Sequence, residues 1–159
     1  MNQERAQAPG PERARETESE LFRAIVEQAG EGVIFADRDG AIRVWNRGAE
    51  SIFGYAAAEV MGSSLDVIIP ERFRRAHWEG FHRAIASGQT KYGNRVLTTR
   101  SLHKNGGKLY LDMSFGVITN AAGEVVGALA VARDCTARQF ADNALRARVA
   151  ALEKNGTES

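Results

Sequence analysis

Three short turns do most to restrict what this chain can fold into. Arg38-Asp39-Gly40, Asn105-Gly106-Gly107 and Asn120-Ala121-Ala122-Gly123 each separate two runs rich in β-forming residues. A glycine behind Asn or Asp supplies the positive φ of a tight hairpin, so each turn predicts a pair of antiparallel strands. The first joins 32–36 to 41–45, the second 94–104 to 108–118, and the third joins that strand to 124–134. In the middle strand Leu109, Leu111, Met113, Phe115 and Val117 alternate with Tyr110, Asp112, Ser114 and Gly116. The odd-numbered side chains therefore face the core. The last strand, 125–132, is apolar on both faces, which predicts a second cover, either a helix or a partner.

Helical spacing fills the remaining segments. Leu21, Phe22, Ile25, Val26 and Ala29 form one stripe of a helix over 19–29, ended by Gly30. Asn46 caps a short helix from Arg47 to Phe53, closed by Gly54, and another covers 57–61 before Gly62. After Pro70 a longer helix runs from Glu71 to Ser87, with Phe73, Ala76, His77, Phe81, Ala84 and Ile85 on its apolar side. A final helix over 136–154 carries Phe140, Leu145, Val149 and Leu152 near one stripe and reads as a linker or the start of a coiled coil. The fold class is α+β. The expected organisation is a mobile tail over 1–17, a flanking helix over 18–30, a core over 31–135, and a helical linker and tail over 136–159.

Composition narrows the function. The 159 residues suffice for one domain with a core, and a net charge of +1 offers no general nucleic-acid or membrane surface. No apolar run approaches the roughly 20 residues of a membrane span. The first residues have no hydrophobic stretch for a secretory signal, so the expected location is cytoplasmic. Cys135 is the only cysteine, which removes disulfide frameworks and thiolate zinc clusters. No phosphate loop or His-Glu-x-x-His zinc helix is present. His77 and His82 lie about 140° apart around a helix and make no metal pair. The expectation is a protein without catalysis of its own.

In this order of elements the chain resembles the PAS sensor family. The matching residues are Gly32-Val33-Ile34, the run from Asn46 to Tyr55, Glu59-Val60-Met61-Gly62, Ile68-Ile69-Pro70, Lys104-Asn105-Gly106 and Arg133-Asp134-Cys135-Thr136. No one of them is specific; the series in order is. The resemblance implies a five-stranded antiparallel sheet with helices across one face, enclosing a pocket. Arg74, His77, Phe81, Arg83 and Ala86-Ser87-Gly88 are further similar to the helix of haem-binding PAS domains in oxygen-sensing histidine kinases. That similarity implies haem b, with His77 as the iron ligand and Arg83 meeting a propionate. The arginine that holds bound oxygen in that family falls at Leu97 by ungapped counting. Arg95, two residues earlier on the same strand face, is its candidate substitute, and Met113 and Phe115 match apolar positions above the haem. A flavin-photoadduct domain needs a reactive cysteine ahead of the long helix, and 62–70 has none.

Each residue also has a plainer reading. His77 can be a core histidine bonded to a backbone carbonyl, Met113 and Cys135 core filler, and Arg74, Arg75 and Arg95 solvated charges. Trp45 reads as packing or a dimer contact, and Trp78 as cover for the helix flank. The two functional expectations are a haem-based sensor of a diatomic gas or redox state, and a cofactor-free interaction module or sensor of a small organic ligand. Both include a homodimer built from the helix over 19–29 and the outer face of the sheet, neither includes nucleic acid or membrane, and output would pass to a partner.

Overall fold

The computed structural model describes residues 11–156. Its elements are α1 (Pro11–Gln28), β1 (Gly32–Asp37), β2 (Ile42–Trp45), α2 (Arg47–Phe53), α3 (Ala57–Val60), a 3-10 turn (Leu65–Val67), α4 (Glu71–Ser87), β3 (Leu97–Leu102), β4 (Lys108–Thr119), β5 (Val125–Asp134) and α5 (Thr136–Gly156). The five strands form one antiparallel sheet in the order β2-β1-β5-β4-β3. The two hairpin groups join where β5 lies against β1, with Ile34 opposite Ala130 and Ala36 opposite Ala128.

Alternation decides which face is dry. Ile34, Ala36, Ile42, Leu109, Leu111, Met113 and Ala132 are buried in one core with Ala49, Phe53, Val60, Leu65, Ile68 and Phe81 from the helical side. The opposite face presents Val33, Phe35, Val44, Leu129 and Val131, all half-buried. The apolar second face of β5 is thus real.

Glycine is required where α2 crosses the entry to β1. A Cβ on Gly48 would run into the carbonyl of Glu31. Gly48→Ala is expected to cost about 2–3 kcal/mol, because backbone and not a flexible side chain must give way. A urea midpoint within experimental error of wild type would show that α2 has room to move.

The structure departs from expectation in three places. Residues 1–10 of the expected tail lie outside the described residues, but the helix already begins at Pro11. Glu12, Arg13, Arg15 and Glu16 are exposed, so this part of α1 has no apolar stripe for periodicity to find, and proline suits a first helical position. β3 is shorter than 94–104: the Arg95 N–H donates to the Tyr92 carbonyl at 3.2 Å, which makes a turn where a strand was expected. Arg95 therefore lies ahead of β3 and not on its face. The buried side of α4 is also rotated. Ala76 is exposed, while Trp78 is half-buried and packs against the core. The Trp78 indole Nε1 donates to Asp66 Oδ1 at 2.9 Å, a polar anchor that hydropathy does not register. Trp45 is buried, rests on Phe53 at 5.1 Å and donates to the Tyr55 carbonyl, so its role is packing.

Candidate functional site

The residues expected at the site sit on α4, β3 and β4, and α4 packs on the sheet against β5. Pro70 and Gly88 bound α4, and its spacing turns His77 and Phe81 toward the same side. The His77 ring stands edge-on to Trp78 at 5.0 Å and stacks with Phe81 at 6.2 Å. Its Nδ1 is buried and has no hydrogen-bond partner, the only side-chain nitrogen or oxygen in that state among the described residues. The backbone carbonyl expected of a structural histidine is therefore missing from Nδ1. Burial lowers the His77 pKa below its ordinary 6.5; the Asp66 carboxylate opposes this, and His82 adds to it. The ring is accordingly neutral at pH 7.

On the sheet, Leu97 and Met113 pair across β3 and β4. Met113 is buried, and Leu97 and Phe115 are half-buried, with Phe115 5.9 Å from the Tyr92 ring. Leu97, Met113 and Phe115 thus share one apolar side of the sheet. The arginines stand apart from it. Arg83 is exposed on α4, and Arg95 is exposed with its Nε donating to the Tyr92 carbonyl at 3.2 Å. Arg74 is structural. Its guanidinium donates to the carbonyls of Ile69 and Asp66, both at 3.1 Å, and locks the turn ahead of α4.

Sequence reading missed a polar cluster on the other side of β4. Asp112 accepts hydrogen bonds from Thr98 Oγ1 at 2.7 Å and from Arg138 at 2.8 and 3.0 Å. Cys135 is buried beside it, its Sγ 3.5 Å from Asp112, and burial first, then Asp112, push the thiol pKa up. That direction marks an unreactive thiol, as core filler would be. The one signal in the sequence was an aspartate at an outward-facing position of a strand.

Two surfaces lie outside this pocket region. A groove of about 270 Å³ on the outer face of the sheet is lined by Ser114, Gly116, Leu129 and Val131, with Gly93, Asn94 and Phe115 at its side. On α1, Leu21, Phe22 and Ile25 are each more than half exposed. Among the described residues no helix is long and apolar enough to cross a membrane, and no group of three or more His, Cys, Asp or Glu side chains is placed to hold a metal ion.

Comparison with known proteins agrees with this architecture. The chain is 24% identical over 133 residues to the oxygen sensor protein DosP of Escherichia coli, which covers 84% of the chain and 16% of DosP. It is 28% identical over 123 residues to the cell-division control histidine kinase PdhS of Brucella ovis, covering 77% of the chain and 12% of PdhS. An uncharacterized protein of Azorhizobium caulinodans shares 34% identity over 85 residues, 53% of the chain and 12% of that protein. The chain thus spans between 12% and 16% of the length of these relatives. Among solved structures, a PAS domain from Colwellia psychrerythraea superposes with a TM-score of 0.64 at 21% identity, covering 74% of this chain and 97% of that one. The PAS fold family matches residues 20–135, and the chain belongs to it.

Proposed function

We propose that this PAS domain is a haem-based sensor without catalysis of its own. Its signal would be a diatomic gas or a redox change. The observation that carries the reading is His77: a neutral imidazole on the core side of α4 with a buried, uncommitted Nδ1. A buried polar atom left unpaired costs stability, so its retention calls for a functional reason. The name of the distant relative DosP, an oxygen sensor, supports the same reading.

The residues present fit the cofactor in donor chemistry. His77 would hold the iron, Phe81, Leu97, Met113 and Phe115 would wall the ring, and Arg83 would stand at the exposed edge where propionates meet water. Bound there, haem iron supplies an open coordination position or a redox couple. Phe81 and Met113 are packed in one core, so room for a planar ring requires α4 to move off the sheet. Arg83 and Arg95 are both exposed, so gas affinity would rest on apolar contact. The absorption spectrum of protein expressed with haem available tests the reading. A Soret band supports it; a clean protein spectrum overturns it in favour of a cofactor-free module.

We further propose that the working unit is a homodimer. The exposed stripe of α1 and the half-buried outer face of the sheet are two apolar surfaces on one chain. A twofold pair satisfies both at once. Ile25→Glu and Leu129→Glu are each expected to weaken dimerisation at least about thirtyfold, as loss of a central apolar anchor does. Light scattering across concentration reads this directly, and a wild type that stays monomeric throughout removes the dimer.

A further inference from the structure

We propose that Asp112 is a positioning residue that latches the exit helix α5 to the wall of the sensory site. The proposal rests on the sensory reading above and concerns how that site is coupled to the rest of the chain.

Asp112 lies on β4 between Leu111 and Met113, whose side chains are buried in the core, and points to the opposite face. Its partner in the ladder is Thr98, the residue after Leu97. Leu97 and Met113 thus form the wall, and Thr98 and Asp112 form the adjoining pair behind it. The carboxylate ties three elements together. It accepts from Thr98 on β3 at 2.7 Å, from Arg138 on α5 at 2.8 and 3.0 Å, and from the Cys135 thiol in the link between β5 and α5 at 3.5 Å. The Thr98 hydroxyl first, then Arg138, hold the Asp112 carboxyl below its ordinary pKa, so it is an anion at neutral pH.

Next to this latch α5 is hinged on a single residue. The Cys135 N–H donates to the Tyr110 carbonyl at 2.9 Å, Thr136 Oγ1 accepts from the Tyr110 N–H at 3.0 Å, and Phe140 meets the Tyr110 ring at 5.9 Å. A helix hinged at one strand residue and steadied by an ion pair two residues along can change its angle without losing its attachment. The exposure of the pair suits this: Asp112 is 20% and Arg138 56% accessible, and ion pairs of that kind are weak enough to release. Any shift of Leu97 and Met113 moves Thr98 and Asp112 on the same backbone, and Arg138 passes it to α5.

Amide hydrogen exchange on the full chain tests this. Asp112→Asn and Arg138→Gln should each speed exchange over residues 139–147 by about two- to fivefold, the scale of one partly exposed pair. The double variant should be no faster than the faster single, because both remove one contact. Amides of β4 and β5 should stay at wild-type rates. Leu97→Ala, which alters the wall alone, should change exchange in α5, and that change should vanish in the Asp112→Asn background. Single variants at the wild-type rate, additive effects in the double, or a Leu97→Ala response that survives Asp112→Asn each overturn the latch. None of these measurements needs a cofactor, so a missing Soret band would remove the haem reading and leave the latch to be decided by exchange.

Discussion

His77→Ala is expected to abolish stoichiometric haem uptake while leaving a folded domain of nearly unchanged stability. Two effects oppose one another in the cofactor-free protein. Removing a half-buried ring loses packing against Trp78 and Phe81, a cost of a few kcal/mol at most. Removing Nδ1 at the same time deletes a buried, unpaired polar atom, which is worth about 1–3 kcal/mol in the other direction. His77→Leu keeps most of the volume and drops the nitrogen, so it should equal or exceed wild type in stability. A residue whose replacement stabilises the empty protein and removes ligand uptake is retained for function.

Titration gives the same position a second signature. The folded-state pKa of His77 lies below its ordinary 6.5, so the unfolded chain takes up the proton first as pH falls. The stability linked to this group is complete above about pH 6.5 and is lost as pH drops from there through the folded pKa. His77→Leu should therefore flatten the stability profile below pH 6.5 and leave it unchanged above. The decisive measurement is haem titration of wild type and His77→Ala, with circular dichroism as the folding control. A folded variant that binds with the same stoichiometry and spectrum would show that His77 is not the ligand.

What the sequence made legible follows from how local each signal is. α2 and α4 begin and end as expected, because Asn46, Gly54, Pro70 and Gly88 act within one turn of the helix they bound. The hairpins and the buried parity of β4 are equally readable, since turn chemistry and alternation are local patterns. The misplacements share the opposite character. Trp78 is drawn to the core edge by Asp66, twelve residues earlier, and no periodicity encodes that bond. Arg95 falls off the expected strand because a turn forms through Tyr92, while ungapped counting treats 94–104 as one straight run. Asp112, Thr98, Cys135 and Arg138 meet only after β3, β4 and β5 have paired. His77 belongs to both groups: its place on α4 is readable, and its lack of a partner at Nδ1 is not.

Asn46→Ala should be among the most destabilising substitutions in the chain, costing about 3–4 kcal/mol from the several buried groups it strands at once. Its side chain is fully buried, and every bonding capacity is used. The oxygen accepts from the N–H of Val33 at 2.7 Å on β1 and of Ala49 at 3.0 Å in the first turn of α2. The amide nitrogen donates to the carbonyls of Val26 at 2.8 Å and Glu31 at 3.0 Å, with Ala29 at 3.4 Å. One residue thus caps the start of α2, fixes the start of β1 and satisfies carbonyls that the end of α1 leaves open. Two further variants separate these roles. Asn46→Ser keeps an oxygen for the Ala49 N–H but has no donor that reaches α1, so it should recover only about 1 kcal/mol, the usual worth of a cap. Asn46→Asp keeps both accepted bonds and sets a carboxylate against the α1 carbonyls, so it should be no better than alanine at pH 7 and improve as acid protonates it. Urea unfolding measures all three, and hydrogen exchange in the last turn of α1 should rise in every one. If Asn46→Ala loses less than about 1 kcal/mol, or if α1 amides keep their protection, the flanking helix is not held through this side chain, and a signal carried between core and α1 would need another route.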